Sequence, residues 1–274
     1  MWKPVSDDHS IESMSAVISF VEPVSSLVYR KMIREFERTT FDQGLNNRQP
    51  MQAFEFKMDG GVPSPVQQVL VNGMIFQKHS LVRDVTGAVV NRLVEQLQFQ
   101  PQVIHYTAWK YVSWTQALAT INKIILPALK IALDSVALGV VRLEYIDRFI
   151  YEGASGDITA KGVIREDSDL ISAHIFKASD LWHSHTGKFE TLEPSIKRLF
   201  QVNVDAQELL GPAETKRSIS VMTAVEDRFE QTGLVVEDDV EEVLSSRLSS
   251  LHESVIDLFK GVVDSTMTKK VGMV

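Results

Sequence analysis

Cysteine is absent from the 274-residue chain. That excludes disulfide frameworks, thiolate nucleophiles, iron–sulfur clusters and cysteine-based zinc sites. Glycine (14) and proline (9) are too sparse for a collagen-like or low-complexity chain. No uninterrupted apolar run approaches the roughly 20 residues needed to span a bilayer. The opening Met1-Trp2-Lys3-Pro4 with Ser6-Asp7-Asp8 has no signal-peptide core, so the expectation is a cytoplasmic protein without membrane contact. The phosphate-cradling patterns G-x-x-x-x-G-K-[ST] and helix-opening G-x-G-x-x-G are missing, as are H-E-x-x-H and the kinase signatures. Gly153-Ala154-Ser155-Gly156 falls one residue short of a nucleophile elbow.

A basic excess is also missing. The net charge is −8. Residues 1–155 carry 15 Lys/Arg against 15 Asp/Glu, so the remainder, with 13 basic and 21 acidic residues, holds the whole imbalance. The densest basic stretch, Arg30-Lys31 with Arg34 and Arg38, is interleaved with Glu35 and Glu37, the pattern of a solvated helix face. Nucleic-acid binders draw much of their affinity from a basic stripe, so a nucleic-acid partner is not expected. The acidic half suits a basic protein instead.

What is present is scaffold, 44% hydrophobic and 23% charged. Residues 14–20 alternate small or polar with bulky apolar groups, the period of a half-buried strand. From Pro23, Val24, Val28, Met32 and Phe36 recur every four positions and predict a helix to about Arg38. Phe54 and Phe56, before a turn at Asp59-Gly60-Gly61, predict a strand. Val69-Leu70-Val71 and Met74-Ile75-Phe76 flank Asn72-Gly73 either as a tight hairpin or as one bent strand. Strands follow at Val89–Phe99 and Val103–Trp109. Ser113 with Gln116 forms a capping box for a helix carrying Trp114, Leu118, Ile121, Ile125, Leu129 and Ala132 on one face, with Pro127 inside it. Leu138–Tyr151 is a long strand, and Leu199–Val204 and Ile219–Phe229 are two more. A long final helix, capped at Asp238 with Glu241, carries Leu244, Leu248, Leu251, Val255, Leu258 and Val262 at a spacing of 3.5. That seam fits either a helix laid across a sheet within one chain or a homodimer seam. Consecutive strands closed by helices predict an α+β fold: antiparallel sheets with helices on one face. The order hints at a two-half duplication, with halves 1–154 and 155–274 divided at the Glu152–Asp157 loop, or at one continuous domain.

Few residues carry chemistry. Trp182-His183-Ser184-His185-Thr186-Gly187 places two imidazoles at i,i+2, on one side of a strand, where they can chelate a divalent ion if His174, Asp180 or Glu190 completes the set. The competing reading is a packed turn anchored by Trp182. Asp147 stands in the apolar row of Val141, Leu143, Tyr145 and Phe149; such a carboxylate is either paired or raised in pKa, a structural group or a general base. Arg142, Glu144 and Arg148 on the alternate face predict an ion-pair row.

Tyr111-Val112-Ser113-Trp114, the run Val140-Val141-Arg142-Leu143-Glu144-Tyr145-Ile146-Asp147, Trp182 to Gly187 with Phe189, Gln201-Val202-Asn203-Val204-Asp205, and Leu251-His252-Glu253 with Phe259 together resemble a family of sporadically distributed bacterial and archaeal proteins of about this length and unknown function. The likeness runs from Phe20-Val21-Glu22 to the last helix. In that family asparagine more often stands at the position of Asp147, which argues against an obligatory carboxylate. The patchy distribution implies a mobile, defence or toxin–antitoxin setting and no mechanism.

The expected function is a non-enzymatic interaction protein, defence-, immunity- or antitoxin-related, with no cofactor and with Trp182, His183, His185, Arg142 and Glu144 as binding residues. One alternative is a metal-dependent or small-ligand enzyme centred on His183 and His185, with Asp147 as a further candidate. The other is nucleic-acid binding through the N-terminal half.

Overall fold

The computed structural model describes residues 1–6, 8–59, 62–83, 88–153, 159–178, 180–210, 215–230, 233–235 and 239–272, without the side chains of 53–71 and 210. The expected turn at Gly60-Gly61, the loop from Ala154 to Asp157 and the cap Asp238 therefore lie outside the described residues, as do the side chains of Phe54, Phe56 and Val69 to Val71.

The fold is α+β with antiparallel hairpins and a long C-terminal helix, as the element order predicts. It comprises β1 (Trp2–Pro4), β2 (Ile11–Phe20), α1 (Ser26–Asp42), β3 (Asn47–Asp59), β4 (Val62–Arg83), β5 (Val89–Gln100), β6 (Val103–Ala108), α2 (Trp114–Leu133), β7 (Leu138–Tyr151), β8 (His183–Glu193), β9 (Ile196–Leu210), β10 (Thr215–Phe229), α3 (Val240–Val262) and α4 (Ser265–Lys270). Two compact units divide the chain: Met1–Ala16 with Val141–Gln231 and Leu244–Val274, called here the α3 unit, and Val17–Val140 with Thr232–Val243, the α1/α2 unit. The chain thus changes unit inside β2 and inside β7, away from residue 154. The reason is visible in β7, whose residues from Val141 on bind the C-terminal strands: Arg142 reaches Glu226 of β10.

In the α1/α2 unit the strand order is β3-β4-β5-β6 followed by the end of β2. Ser25, two residues after the expected proline start, caps α1 by accepting from the Val28 N–H at 3.3 Å. The helix runs four residues past Arg38 because threonines tie it down. The Thr39 hydroxyl donates to the Ile124 carbonyl of α2 at 3.0 Å, and that of Thr40 donates to the Phe36 carbonyl. Met32 and Phe36 are fully buried, with Phe36 against Phe76 and Phe99 and Tyr29 stacked on Phe99 at 4.9 Å. Of the two alternatives at Asn72-Gly73 the hairpin fails and the single strand holds: β4 runs through both residues, with a register shift against β3 at Asn72. A Cβ at Gly73 would stand 2.5 Å from the Phe99 carbonyl oxygen, so the glycine serves the close approach of β5. α2, capped by Ser113, buries Ile121, Ile124, Ile125, Ala128 and Leu129 completely, although by length and mean hydropathy (1.3) it could cross a membrane.

The α3 unit orders its strands β8-β9-β10-β7, with β1 and the start of β2 beside β7. β8, β9 and β10 form an antiparallel meander with an uninterrupted β9–β10 register. The 3.5-spaced seam of α3 is spent inside the unit. Leu244, Leu248, Leu251, Val255, Leu258 and Val262 are all at most 7% exposed, so the homodimer seam expected there as an alternative is not available to a second copy.

Candidate functional site

Strand alternation sorts the polar residues of the α3 unit onto two faces. The register places Ser184, Val204 and Val221 side by side, and on the same side lie Asp227, Arg198 and the residues that meet α3. His183 with Asp205 and Ser220, and His185 with Asn203 and Met222, lie on the far face. In β7 the buried row Val141, Leu143, Tyr145, Asp147, Phe149 faces α3, while Arg142, Glu144 and Arg148 face away.

Beneath α3 the helix–sheet contact is ionic at its centre. The Arg198 guanidinium donates through Nε and Nη2 to both oxygens of Asp227 at 2.7 and 2.9 Å, a bidentate fork with side chains 7% and 0% exposed. From α3, Ser254 and Ser250 accept from the same guanidinium at 3.0 and 3.2 Å, and Arg247 adds a second cation 3.4 Å from Asp227. Asp147, 1% exposed, accepts from the Ser10 hydroxyl at 2.7 Å. Burial pushes its carboxyl up to about 7, against the lowering effect of that hydrogen bond. Tyr145 Oη lies 3.1 Å from Nδ1 of His252 on α3, and burial lowers this imidazole to about 4. Arg198 and Asp227 were not among the candidates of the sequence, and His252 entered only as part of the motif Leu251-His252-Glu253. Their one signal was that Asp227 shares the inward parity of Val221 and Val225, as Asp147 shares that of Tyr145 and Phe149.

The far face holds a second network. Arg142 donates to Glu144 at 2.7 Å and to Gln201 at 2.6 Å and lies 3.3 Å from Glu226, which also pairs with Arg228. Arg148 turns away from Glu144 and binds Glu12 at 2.7 Å, with Gln207 and Ser218 each at 3.1 Å. The expected row is therefore two clusters, one around each arginine.

His183 and His185 are exposed, with ring centroids 5.4 Å apart, so the spacing does place them together. Among the described residues no group of three metal-ligating side chains forms around them or elsewhere. Asp147 lies on the opposite face of the sheet, sealed from solvent, so the three candidates do not converge. Trp182 is half-buried at the mouth of β8. It lines, with Trp2, Asp180 and Arg217, a cavity of only about 10 Å³. A polar depression of about 390 Å³ lies elsewhere in the unit, between Arg165, Asp167 and Asp264. In the α1/α2 unit, Glu95 accepts from Lys78 at 2.7 Å and Tyr106 at 2.8 Å beside a cavity of about 30 Å³ that includes Ser113. Burial and the neighbouring carboxylate raise the Tyr106 phenol, which keeps it protonated.

No family model matches the chain, and no curated protein matches it. Among solved structures, the crystal structure of the di-domain ARO/CYC StfQ from the steffimycin biosynthetic pathway aligns over 90% of this chain and 96% of that one, at 9% identity. Its TM-score is 0.18, too low to assign a shared fold.

Proposed function

We propose that this chain is an interaction protein that binds a basic protein partner through the outer stripe of α3. The observation that carries the reading is how α3 divides its residues. Its apolar seam is consumed inside the unit, and Glu253 and Asp257, one turn apart, are exposed. Among the described residues, neither of these two carboxylates joins an ion pair, whereas the charged groups beneath the helix are engaged. Two unpaired carboxylates a turn apart, with Lys260 exposed beyond them, on a helix held by a buried bidentate fork make a rigid, pre-organised electrostatic surface. The separation of His183 and His185 from Asp147 supports binding over catalysis, because acid–base work needs its groups within reach of one reacting atom. The resemblance to the sporadically distributed family adds a defence or antitoxin setting to the same reading.

The test is co-purification from the native host with and without Glu253→Lys and Asp257→Lys. The reading expects a basic protein that elutes with rising salt and is lost from the double variant. A partner retained equally by both forms, or no basic partner at all, would sink it.

A further inference from the structure

β8 ends the strand order of the α3 unit, and its outer edge is open: residues 187–193 are all exposed, Phe189 to 55% and Leu192 to 43%. Among the described residues, no backbone group of His183–Glu193 bonds anything beyond the β9 ladder. The ladder also tells which groups point outward. The Ala206 N–H donates to the Trp182 carbonyl at 2.9 Å, so the opposed pair 182/206 is a hydrogen-bonded one. Alternation makes 184/204, 186/202, 188/200 and 190/198 the bonded pairs. The N–H and C=O groups of residues 183, 185, 187, 189 and 191 then face away from β9.

A free strand edge is a template for another strand, and natural edges guard against this with charges, prolines or bulges. β8 has no proline. Its central charge is Lys188, which binds Glu190 of the same strand in the isolated chain. We propose that the occupant of this edge is β8 of a second copy, antiparallel and centred on Phe189.

The register follows from two constraints. Outward groups exist only on odd residues, so a two-fold axis must pass through a residue, not between two. Centring on Lys188 or Glu190 sets like charges directly opposite, and centring on Thr186 or Gly187 leaves both charges without an opposite partner. Centring on Phe189 alone sets Lys188 of each copy against Glu190 of the other, twice over by symmetry. The Phe189 pair then exchanges both backbone hydrogen bonds, and Gly187 and Thr191 pair across the axis. The two phenylalanine rings become cross-strand neighbours on the far face, each beneath its own Arg228, whose guanidinium carbon lies 5.2 Å from the ring centroid. The contact is isologous and closes at two copies. It uses a different element from the acidic stripe of α3 and stands whether or not a basic partner exists.

Sedimentation equilibrium on the full chain over a concentration series tests this. The wild type should show a reversible monomer–dimer equilibrium. Phe189→Pro should be monomeric with an unchanged circular dichroism spectrum, because the outward Phe189 N–H contributes nothing to the β9 ladder. Lys188→Glu and Glu190→Lys should each weaken the dimer by about tenfold, since each places like charges opposite one another at two symmetric positions. The double swap Lys188→Glu with Glu190→Lys should restore wild-type association. A chain that stays monomeric up to its solubility limit overturns the proposal. So does a dimer indifferent to Phe189→Pro, or a double swap that fails to recover.

Discussion

The two units solve one problem, seating helices on an antiparallel sheet, with different chemistry. In the α1/α2 unit the contact is aromatic and aliphatic, with Phe36 wedged between Phe76 and Phe99 and the Thr39 hydroxyl linking the helices. In the α3 unit a ring of leucines and valines encloses a guanidinium, a carboxylate and two serines, with an imidazole and a second carboxylic acid in the same layer. Apolar contacts are non-directional, so a helix seated on them can slide or rotate at small cost. A bidentate fork is geometric: Arg198 reaches Ser250 and Ser254 in one setting of α3 only. The ionic arrangement adds little net stability over a well-packed apolar one, but it holds the register of the helix that carries the acidic stripe.

The largest effect should come from breaking that fork one-sidedly. Asp227→Ala leaves Arg198 and Arg247 facing a void without their counter-charge and should cost about 3–5 kcal/mol in urea denaturation. Phe36→Ala in the other unit should cost a similar amount, about 3–5 kcal/mol, through its cavity. The two losses are told apart by compensation: replacing the pair together, Arg198→Met with Asp227→Leu, should return most of the stability, and no second substitution does so for Phe36. If the apolar pair is as unstable as Asp227→Ala, the fork contributes net stability and the contrast between the units is drawn wrongly.

Next in size is the response to pH, which should come from the α3 unit. Asp147 keeps its proton in the folded chain up to about pH 7, whereas the unfolded chain loses it near 4. Between those values the folded state binds more protons, so this group's contribution to stability falls as pH rises and has been lost above pH 7. Asp147→Asn keeps a hydrogen-bonding partner for Ser10 and removes the fall, and it should raise stability at pH 8 by about 2–4 kcal/mol. His252 slopes the other way. Its folded pKa is lowered to about 4, so the unfolded state binds more protons from there to about 6.5, and stability rises with pH across that window. The wild type should therefore look nearly flat between pH 4 and 6.5, and Asp147→Asn should expose a rising curve there. Denaturation midpoints of Asp147→Asn that track the wild type at every pH would show the carboxyl to be solvated after all.

How much of this could be read from residue order differs by unit for a physical reason. Periodicity reports which side of an element is apolar, so α1, α2, the α3 seam and the inward row of β7 were all visible. It does not report what an apolar side packs against, and the α3 seam accordingly fitted a dimer as well as it fitted a sheet. The pairing of Arg198 with Asp227, or of Arg148 with Glu12, depends on which strands become neighbours, and local sequence carries no trace of that. Asn72-Gly73 shows the converse: the local signal fitted a hairpin or one bent strand, and the strand holds where a side chain at Gly73 would intrude on the Phe99 carbonyl of β5. For the histidines the strand period correctly put His183 beside His185, and only the sheet order revealed that Asp147 points out of the opposite side.

The smallest effect should come from that histidine pair. His183 and His185 sit on the exposed edge strand, touching each other more than the core, so changing both to alanine should shift stability by less than about 0.5 kcal/mol. The comparison between the units is sharpened by this null effect, since it confines the ionic dependence of the α3 unit to the layer beneath the helix. Nickel titration by calorimetry should give at most the weak affinity of a two-imidazole chelate, because a site that holds a transition ion firmly draws on three or four protein ligands. Tight, stoichiometric binding abolished by His183→Ala would mean that a third ligand reaches the far face in solution. The far face, rather than the outer stripe of α3, would then be the place to look for chemistry.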